Sequence, residues 1–181
     1  MSKFQLLLVA GTHGNELNAP WLFDEWEKDP DLINTYDINS TAIIGNPSAL
    51  KVNKRYIDRD LNRSFTSHLL NSEIVEDIEV KLAKNLIRLY GIDGINPCQI
   101  AIDLHSTTAA MGSSLVIYGN RSSDFALAAL IQSRLGLPIY LHEDDLNQKG
   151  FLVESWPCGL VVEIGPVPQS IIDGNIVEKN R

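Results

Sequence analysis

The chain has 181 residues and a formal net charge of −8, with 44% hydrophobic and 21% charged residues, which is ordinary for one globular domain. Lys and Arg form no long runs, and no apolar run approaches the roughly 20 residues of a membrane span, so the sequence predicts no nucleic-acid and no membrane partner. An anionic small-molecule substrate is not excluded, because a local group of arginines can dominate a pocket.

The two cysteines, Cys98 and Cys158, lie in no metal-binding spacing. This usage is typical of a reducing compartment and predicts two buried thiols rather than a disulfide. The first residues, MSKFQLLLVAG, contain one Lys and a short apolar run, whereas a signal peptide needs a longer apolar region and a small-residue cleavage site. We therefore expect a cytoplasmic protein.

The first part of the chain alternates apolar runs with turn signals. Phe4 to Ala10 is nearly all apolar, which predicts a strand buried on both faces. Pro20 suits the first turn of a helix that continues to about Lys28. Thr41 to Ile44 predicts a second strand, which the stretch GNP ends. The stretch NKRYIDRDLNRSF is dense in charge and has no clean period, so we predict a loop.

The strongest helical pattern runs from Ser72 to Tyr90, with Ser72 as the N-cap and Gly91 just after the end. Its apolar residues form one stripe at steps of three or four: Val75, Ile78, Leu82, Leu86 and Leu89.

Strands and helices continue to alternate in the rest of the chain. We predict strands at Gln99 to Leu104 and Ser114 to Tyr118, a helix from Asp124 to Leu135, and two last strands in PIYLHE and GLVVEIGP. This alternation predicts an α/β fold with three layers and a mostly parallel sheet.

Three of the predicted strands lead into polar residues of potential function. The first runs into His13 and Glu16 in GTHGNE, IAIDLH ends in His105, and LVVEIG carries Glu163. Because parallel strands end at one edge of a sheet, we expect these four side chains to converge. Two His and one carboxylate make a three-ligand zinc site with an open position for water, although the ligand types do not exclude other divalent metals.

Other interpretations of these residues stay open on the sequence alone. Glu16 also suits a helix N-terminus, and Glu163 also suits a structural salt bridge. Asp103 either orients His105 or points to the opposite face of its strand. The remaining histidines have no such setting, and we interpret them as surface or satisfied core residues: His68 and His142.

The glycines of GTHGNE allow two interpretations. Gly11 and Gly14 would let the backbone bend tightly enough to aim His13 and Glu16 at one ion. The motif lacks the Lys-Ser/Thr ending of a nucleotide P-loop, which disfavours a phosphate site.

The charged loop is a further candidate site. Its arginines lie at intervals of four, with acidic and amide residues among them: Arg55, Asp58, Arg59, Asp60, Asn62 and Arg63. These residues fit a solvated cluster of ion pairs. They also fit a clamp for a substrate carboxylate, because guanidinium groups match carboxylates bidentately.

Four motifs in order give the chain a resemblance to a known family. GTHGNE, NPSAL…RYIDRDLNRSF, DLHSTTAAMG and VEIGP resemble the signature blocks of the aspartoacylase/succinylglutamate desuccinylase family, and they span Leu6 to about Gln169. DLHSTT…MG resembles the aspartoacylase branch, in particular its cyanobacterial type. The resemblance implies a fold similar to zinc carboxypeptidases, so we expect residues 1–181 to form a three-layer α/β catalytic domain.

The resemblance also implies roles for individual residues. It implies one zinc ion per chain, held by His13, Glu16 and His105. Glu163 matches the general acid/base, which also contacts the substrate, and Arg55 matches the arginine that polarises the scissile carbonyl.

The charged loop supplies the remaining implied roles. Asn62 and Arg63 match the pair that grips the carboxylate of the substrate. Asp60 occupies a position where an aspartate is usual, and we expect it to hold the arginines in place rather than react.

The chain departs from the family pattern in two places. Family members continue into a smaller β-rich C-terminal domain that contributes a substrate-binding tyrosine, whereas this chain stops at Arg181, so we expect a fragment or a truncated product. The segment KGFLVESWPCGL contains no Arg to match a substrate-binding arginine of animal aspartoacylases, which leaves selectivity for aspartate open.

We therefore expect a zinc-dependent amidohydrolase that converts N-acetyl-L-aspartate to acetate and L-aspartate. One alternative is a related deacylase for other substrates, such as N-acetyl aromatic amino acids or N-succinylglutamate. Another is a non-catalytic zinc-binding domain in which the charged residues form structural ion pairs. The expected partner is a small N-acyl amino acid, and the sequence leaves homo-oligomerisation open.

Overall fold

A computed structural model of the chain describes residues 3–74, 76–142 and 148–174. Within them, six strands form one sheet in the order β2-β1-β3-β6-β4-β5. The strands are β1 (Phe4–Ala10), β2 (Ile38–Ile44), β3 (Ile100–Ser106), β4 (Ser114–Tyr118), β5 (Ile139–His142) and β6 (Cys158–Ile164). Neighbouring strands are parallel except β4 and β6, which are antiparallel. The predicted mostly parallel sheet is confirmed.

Helices cover both faces of this sheet. The α-helices are α1 (Asn18–Lys28), α2 (Pro47–Lys51), α3 (Ser67–Leu70), α4 (Ile78–Tyr90) and α5 (Ser122–Leu135). Short 3-10 helices span Pro30–Leu32, Leu61–Arg63 and Leu152–Ser155. Helices α1 and α5 pack on one face of the sheet and α4 on the other, so the predicted three layers are confirmed.

The strand register decides which residues share a face, because side chains alternate along a strand. Val9 is the register partner of Asp103, and Asp103 is the partner of Val161, so all three lie on the face that α4 covers. The core of that face consists of apolar strand and helix residues, among them Leu7, Val9, Ala101, Val161, Ala83 and Leu86. Asp103 therefore approaches the site from the face of the sheet that α4 covers.

The start of α4 is where the sequence prediction was wrong. The helix begins at Ile78 rather than near Ser72, and Asp77 makes no side-chain cap at its start. Instead, the Ile78 N–H donates to Asp58 Oδ2 at 2.9 Å, so a side chain from the charged loop caps the helix. The helix does end before Gly91, whose φ of −60° is not left-handed. Val75 lies outside the described residues.

Two short helices were not predicted although local signals for them exist. The Asn46 side chain accepts a hydrogen bond from the Ala49 N–H and Pro47 follows it, a typical helix start. The Thr66 side chain caps α3 in the same way through the Leu69 N–H. Both helices flank the charged loop in the sequence.

The two cysteines are free thiols, as predicted, although only Cys98 is buried and Cys158 is half-buried. No helix in the described part of the chain combines the length and apolar character that crossing a membrane requires.

Candidate metal centre and active site

The turn after β1 brings His13 and Glu16 to the carboxyl edge of the sheet. Gly11 begins this turn with a φ of +63°, a left-handed conformation that favours glycine. Gly14 is needed for space, because a Cβ at this position would lie 2.1 Å from the carbonyl carbon of Ala49. The turn is thus packed directly against the backbone of α2, which fixes the position of its two functional side chains.

His13, Glu16 and His105 meet at one point in the structure. One ligand atom from each lies within 4.8 Å of the others. His13 Nδ1 is 2.7 Å from Glu16 Oε1, His105 Nδ1 is 3.0 Å from Glu16 Oε2, and the two Nδ1 atoms are 3.2 Å apart. All three residues are buried, with 3% to 6% of their surface exposed. The expected convergence of these side chains is therefore observed.

Each imidazole of this cluster has a carboxylate on its outer nitrogen. Asp60 Oδ1 lies 3.0 Å from His13 Nε2, and Asp103 Oδ2 lies 2.7 Å from His105 Nε2. A carboxylate in this position accepts the Nε2–H and leaves the lone pair of Nδ1 free for a metal. Both imidazoles are therefore oriented with Nδ1 towards the centre of the cluster.

Asp103 occupies the same face as His105 because residues two apart along a strand point the same way. Its carboxylate is fully buried and also accepts a hydrogen bond from Thr12 Oγ1 at 2.8 Å. The alternative in which Asp103 points to the opposite face is wrong.

The donor set fits a small divalent cation. Ligands at the ~2.0–2.1 Å usual for zinc would lie roughly 3.4 Å apart in a tetrahedral site, slightly wider than the 2.7 to 3.2 Å between the two Nδ1 atoms and the nearer Glu16 oxygen of each. Burial would raise the pKa of Glu16, but the charge and hydrogen bonds of His105 and His13 hold it well below its usual range. Burial would lower the pKa of His105, but Asp103 and Glu16 raise it. The carboxylates of Glu16 and Asp103 therefore favour positive charge at this cluster.

Glu163 lies beside this cluster on the neighbouring strand. It is the register partner of His105 across β3 and β6, and of Ser114 across β6 and β4. Burial raises the pKa of Glu163, and the charges of Glu16 and Asp103 raise it further against the opposing charge of His105. The Ser114 Oγ is buried and has no hydrogen-bond partner within the described residues.

Arg55 comes from the charged loop and stands next to the cluster. One Nη atom donates to Asp60 Oδ2 at 3.1 Å, and the other lies 3.8 Å from Glu16 Oε1. The side chain is 43% exposed, so a small molecule can reach it. Asp60 contacts Arg55 as expected, but its contact with His13 was not predicted from the sequence.

Asn62 and Arg63 lie in the 3-10 turn that follows Asp60. The buried Asn62 accepts the Leu152 N–H on Oδ1 at 2.8 Å, which ties the charged loop to the segment before β6. The Arg63 guanidinium lies over the Phe151 ring, 4.1 Å from its centroid. This cation–π contact was missed because nothing in the local sequence links the two residues.

Phe151 belongs to a small aromatic group near Arg63. Its ring stacks on Tyr118 at a centroid distance of 3.7 Å, and His142 contacts both rings. Burial raises the pKa of Tyr118, and the charge of Glu163 adds to this shift. His142 was interpreted as a surface or satisfied residue, but its Nε2 is buried and lacks a hydrogen-bond partner among the described residues.

The other charged candidates have structural surroundings. Arg59 forms an ion pair with Asp77 before α4, as the ion-pair interpretation of the loop predicts. His68 is exposed, which agrees with its interpretation as a surface residue.

Comparison with known sequences gives a consistent result. Residues 2–180 match the family model described as the succinylglutamate desuccinylase/aspartoacylase catalytic domain. The chain is 61% identical over its whole length to a probable aspartoacylase of Prochlorococcus marinus (strain MIT 9313), and 57% identical to one of Synechococcus sp. (strain CC9605). It spans 60% and 59% of the length of these curated relatives.

Solved structures show the same fold. Murine aminoacylase 3 superposes with a TM-score of 0.86 at 28% identity, over 99% of this chain and 61% of that one. A succinylglutamate desuccinylase from Chromobacterium violaceum has a TM-score of 0.75 at 17% identity, over 98% and 57% of the two chains, which shows a shared fold alone. The match of residues 2–180 to the family model establishes that the chain belongs to the succinylglutamate desuccinylase/aspartoacylase family.

Proposed function

We propose that this chain forms the catalytic domain of a zinc-dependent amidohydrolase that converts N-acetyl-L-aspartate to acetate and L-aspartate. The observation that carries the proposal is the buried cluster of His13, Glu16 and His105, in which both imidazoles have an outer carboxylate. Family membership supports amide hydrolysis, and the names of the curated relatives support aspartate as the amino acid.

His13, Glu16 and His105 would hold one zinc ion, with Asp60 and Asp103 fixing the two imidazoles. Zinc bound there would supply Lewis acidity and lower the pKa of a bound water towards ~7. Binding requires an ionised Glu16, which agrees with its lowered pKa, and it would displace any proton from the two Nδ1 atoms.

Glu163 would move the proton during hydrolysis. Its carboxylate would accept a proton from the attacking water and return it to the nitrogen of the leaving amino acid. The raised pKa of Glu163 suits this role, because a proton carrier works best when its pKa is close to the working pH.

Arg55 would stabilise the negative charge that develops on the acyl oxygen. Its guanidinium is held at the edge of the cluster by Asp60, with a second Nη beside Glu16. A donor fixed in advance in this way does not have to reorganise during the reaction.

Asn62 and Arg63 would bind the carboxylate of the amino acid. The Phe151 ring restricts the guanidinium of Arg63, so less side-chain entropy is lost when a carboxylate binds. The partner in this proposal is a small N-acyl amino acid, and the proposed location of the protein is the cytoplasm.

A second candidate is a deacylase for another N-acyl amino acid. The aromatic group of Phe151, Tyr118 and His142 beside Arg63 favours it, because such rings can also line a site for a larger side chain. An assay of N-acetylaspartate beside N-acetylated aromatic and N-succinyl substrates separates the two candidates.

The decisive experiment measures zinc content and N-acetylaspartate turnover on one purified sample. We expect near-stoichiometric zinc and release of acetate, and we expect His105→Ala to lose both. A folded wild-type chain that takes up no zinc from zinc-containing buffer would overturn the proposal. Zinc without turnover of any substrate in the panel would instead favour a non-catalytic metal-binding domain.

A further inference from the structure

Glu79 is a buried carboxylate that lies on α4, outside the metal cluster. Its side chain is fully buried, and four donors surround it: the N–H groups of Ile57, Asp58 and Arg59 at 2.7, 3.1 and 3.2 Å, and Asn46 Nδ2 at 3.0 Å. Burial would raise the pKa of Glu79, but these hydrogen bonds lower it, so the group is ionised. A buried charge is tolerated only when partners compensate it, and these four hydrogen bonds provide the compensation.

The contact between α4 and the charged loop is reciprocal. While Glu79 accepts three consecutive loop N–H groups, the Asp58 carboxylate accepts the Ile78 N–H at the start of the helix. Arg59 and Asp77 add an ion pair between the same two segments. Residues 57–59 therefore have their backbone fixed by the helix rather than by regular structure of their own.

The fixed segment lies between two proposed site residues. Arg55 precedes it and Asp60 follows it, and these two side chains contact each other at 3.1 Å. The Arg55 carbonyl also accepts the Gly14 N–H at 3.2 Å, which joins the loop to the turn of His13. A shift of residues 57–59 would move Arg55 and Asp60 together.

Asn46 also connects Glu79 to the turn that bears His13. Its Nδ2 donates to Glu79, its Oδ1 caps α2, and its backbone N–H donates to the Gly11 carbonyl at 3.1 Å. The carboxylate of Glu79 thus links the charged loop to the backbone that bears His13.

We propose that Glu79 is a positioning residue, which fixes residues 57–59 so that Arg55 and Asp60 face the metal cluster. The proposal rests on the function proposed above for Arg55. It does not require Glu79 to touch the substrate.

Glu79→Gln tests the proposal with a side chain of the same shape. Its amide NH₂ cannot accept the N–H groups that a carboxylate oxygen accepts in the wild type. Some of the hydrogen bonds to this side chain would therefore be lost. Hydrogen exchange of the amides of residues 57–59 should become faster in this variant. Glu76→Gln is the matched control, because it removes an exposed carboxylate just before α4 that pairs with Lys81. Unchanged protection in Glu79→Gln would overturn the proposal whether or not the chain is an enzyme.

A double-mutant cycle distinguishes positioning from general destabilisation. A misplacement of about 1 Å can cost up to roughly 100-fold, so we expect Glu79→Gln to lower kcat/KM for N-acetylaspartate by about 10- to 100-fold. In the Arg55→Ala background the same change should cost much less, because the residue being positioned is gone. Equal losses in both backgrounds would contradict the proposal. If the wild-type chain turns over no substrate, the proposed function fails, and the exchange experiment still decides the positioning.

Asp58→Ala tests the same connection from the loop side, because alanine has no acceptor for the Ile78 N–H. The Asp58 carboxylate is exposed, so we expect this variant to fold. It therefore replaces the buried Glu79→Gln variant if that protein cannot be purified. We expect faster exchange of the Ile78 amide and of residues 57–59, with a smaller loss of turnover in the same direction. Unchanged exchange at all these amides would count against the connection.

Discussion

His105 and Glu163 are register partners on two adjacent parallel strands, and their side chains lie on the same face of the sheet. His105 belongs to the cluster of three ligand atoms, whereas Glu163 does not. The proposed metal ligand and the proposed proton carrier therefore lie side by side, and only His105 belongs to the cluster. This arrangement leads directly to a test of the role of Glu163.

Glu163→Gln should keep zinc and lose hydrolysis. The amide has a similar shape but cannot carry the proton, so we expect turnover to fall by roughly 10²- to 10⁴-fold. Zinc content and N-acetylaspartate turnover are measured on the same preparation. Loss of zinc from this variant would mean that Glu163 is a ligand, and the proposed assignment would then be wrong.

Arg55→Ala should fold normally and turn over slowly. Removing one donor to a developing oxyanion typically costs roughly 10²–10³ in turnover, and the partly exposed position of Arg55 predicts little change in stability. Thermal unfolding and kcat are the measurements. The adjacent exposed cation supplies a control, since Lys54→Ala should keep normal turnover. Normal turnover in Arg55→Ala would exclude the proposed role.

Asp103→Asn should weaken zinc binding rather than abolish it. The substitution removes the charge that holds the His105 Nε2–H, and loss of such an outer partner typically costs about 10- to 100-fold in metal affinity. Competition with a chelator measures this affinity. Asp24→Asn, at an exposed position of α1, serves as the control. Equal affinities in the wild type and Asp103→Asn would show that Asp103 has no such effect.

Gly14→Ala should disrupt the turn after β1 that bears His13 and Glu16. The added Cβ would lie 2.1 Å from the Ala49 carbonyl carbon and 2.2 Å from the Leu50 nitrogen, both backbone atoms that cannot move alone. We expect lower thermal stability and lower zinc content. Gly112→Ala makes the same chemical change where no atom lies within 4 Å of the new Cβ, and it should retain both properties. A Gly14→Ala protein with normal zinc content would contradict the close packing of the turn.

The stability contributed by Glu79 should depend on pH. The pKa of Glu79 lies below its ordinary value of 4.5 in the folded chain, because backbone and Asn46 hydrogen bonds outweigh the effect of burial. Its contribution is therefore fully present above pH 4.5 and is lost as the pH falls through the lowered pKa. Urea unfolding of the wild type and Glu79→Gln should show a difference in unfolding free energy that narrows below pH 4.5. A difference that is independent of pH would contradict this linkage.

The sheet and the convergence of polar residues could be predicted because both depend on simple periodicity. The limits of β1 and β4 agree with the prediction, and β2 and β3 are longer than predicted. Parallel strands end at one edge, so His13, Glu16, His105 and Glu163 could be grouped without knowing their geometry. Their chemical roles remain proposals.

The features that could not be predicted depend on contacts between distant segments. The start of α4 was placed too early because its cap comes from Asp58 in another segment. The contact of Asp60 with His13 and that of Arg63 with Phe151 likewise join residues far apart in the chain. Local pattern cannot indicate such pairs, because each exists only after the loop has folded onto the sheet.

The reversed direction of β4 allows a short connection between β3 and β4. Because β4 is antiparallel to β6, the end of β3 and the start of β4 share one edge, and residues 107–113 join them past the end of β6. The Thr107 N–H donates to the Ile164 carbonyl at 2.8 Å, which holds this connection against β6. A parallel strand in that position would need a crossover of about a dozen or more residues. Insertions or deletions between residues 107 and 113 can therefore change the backbone next to the end of β6 without altering a crossover helix.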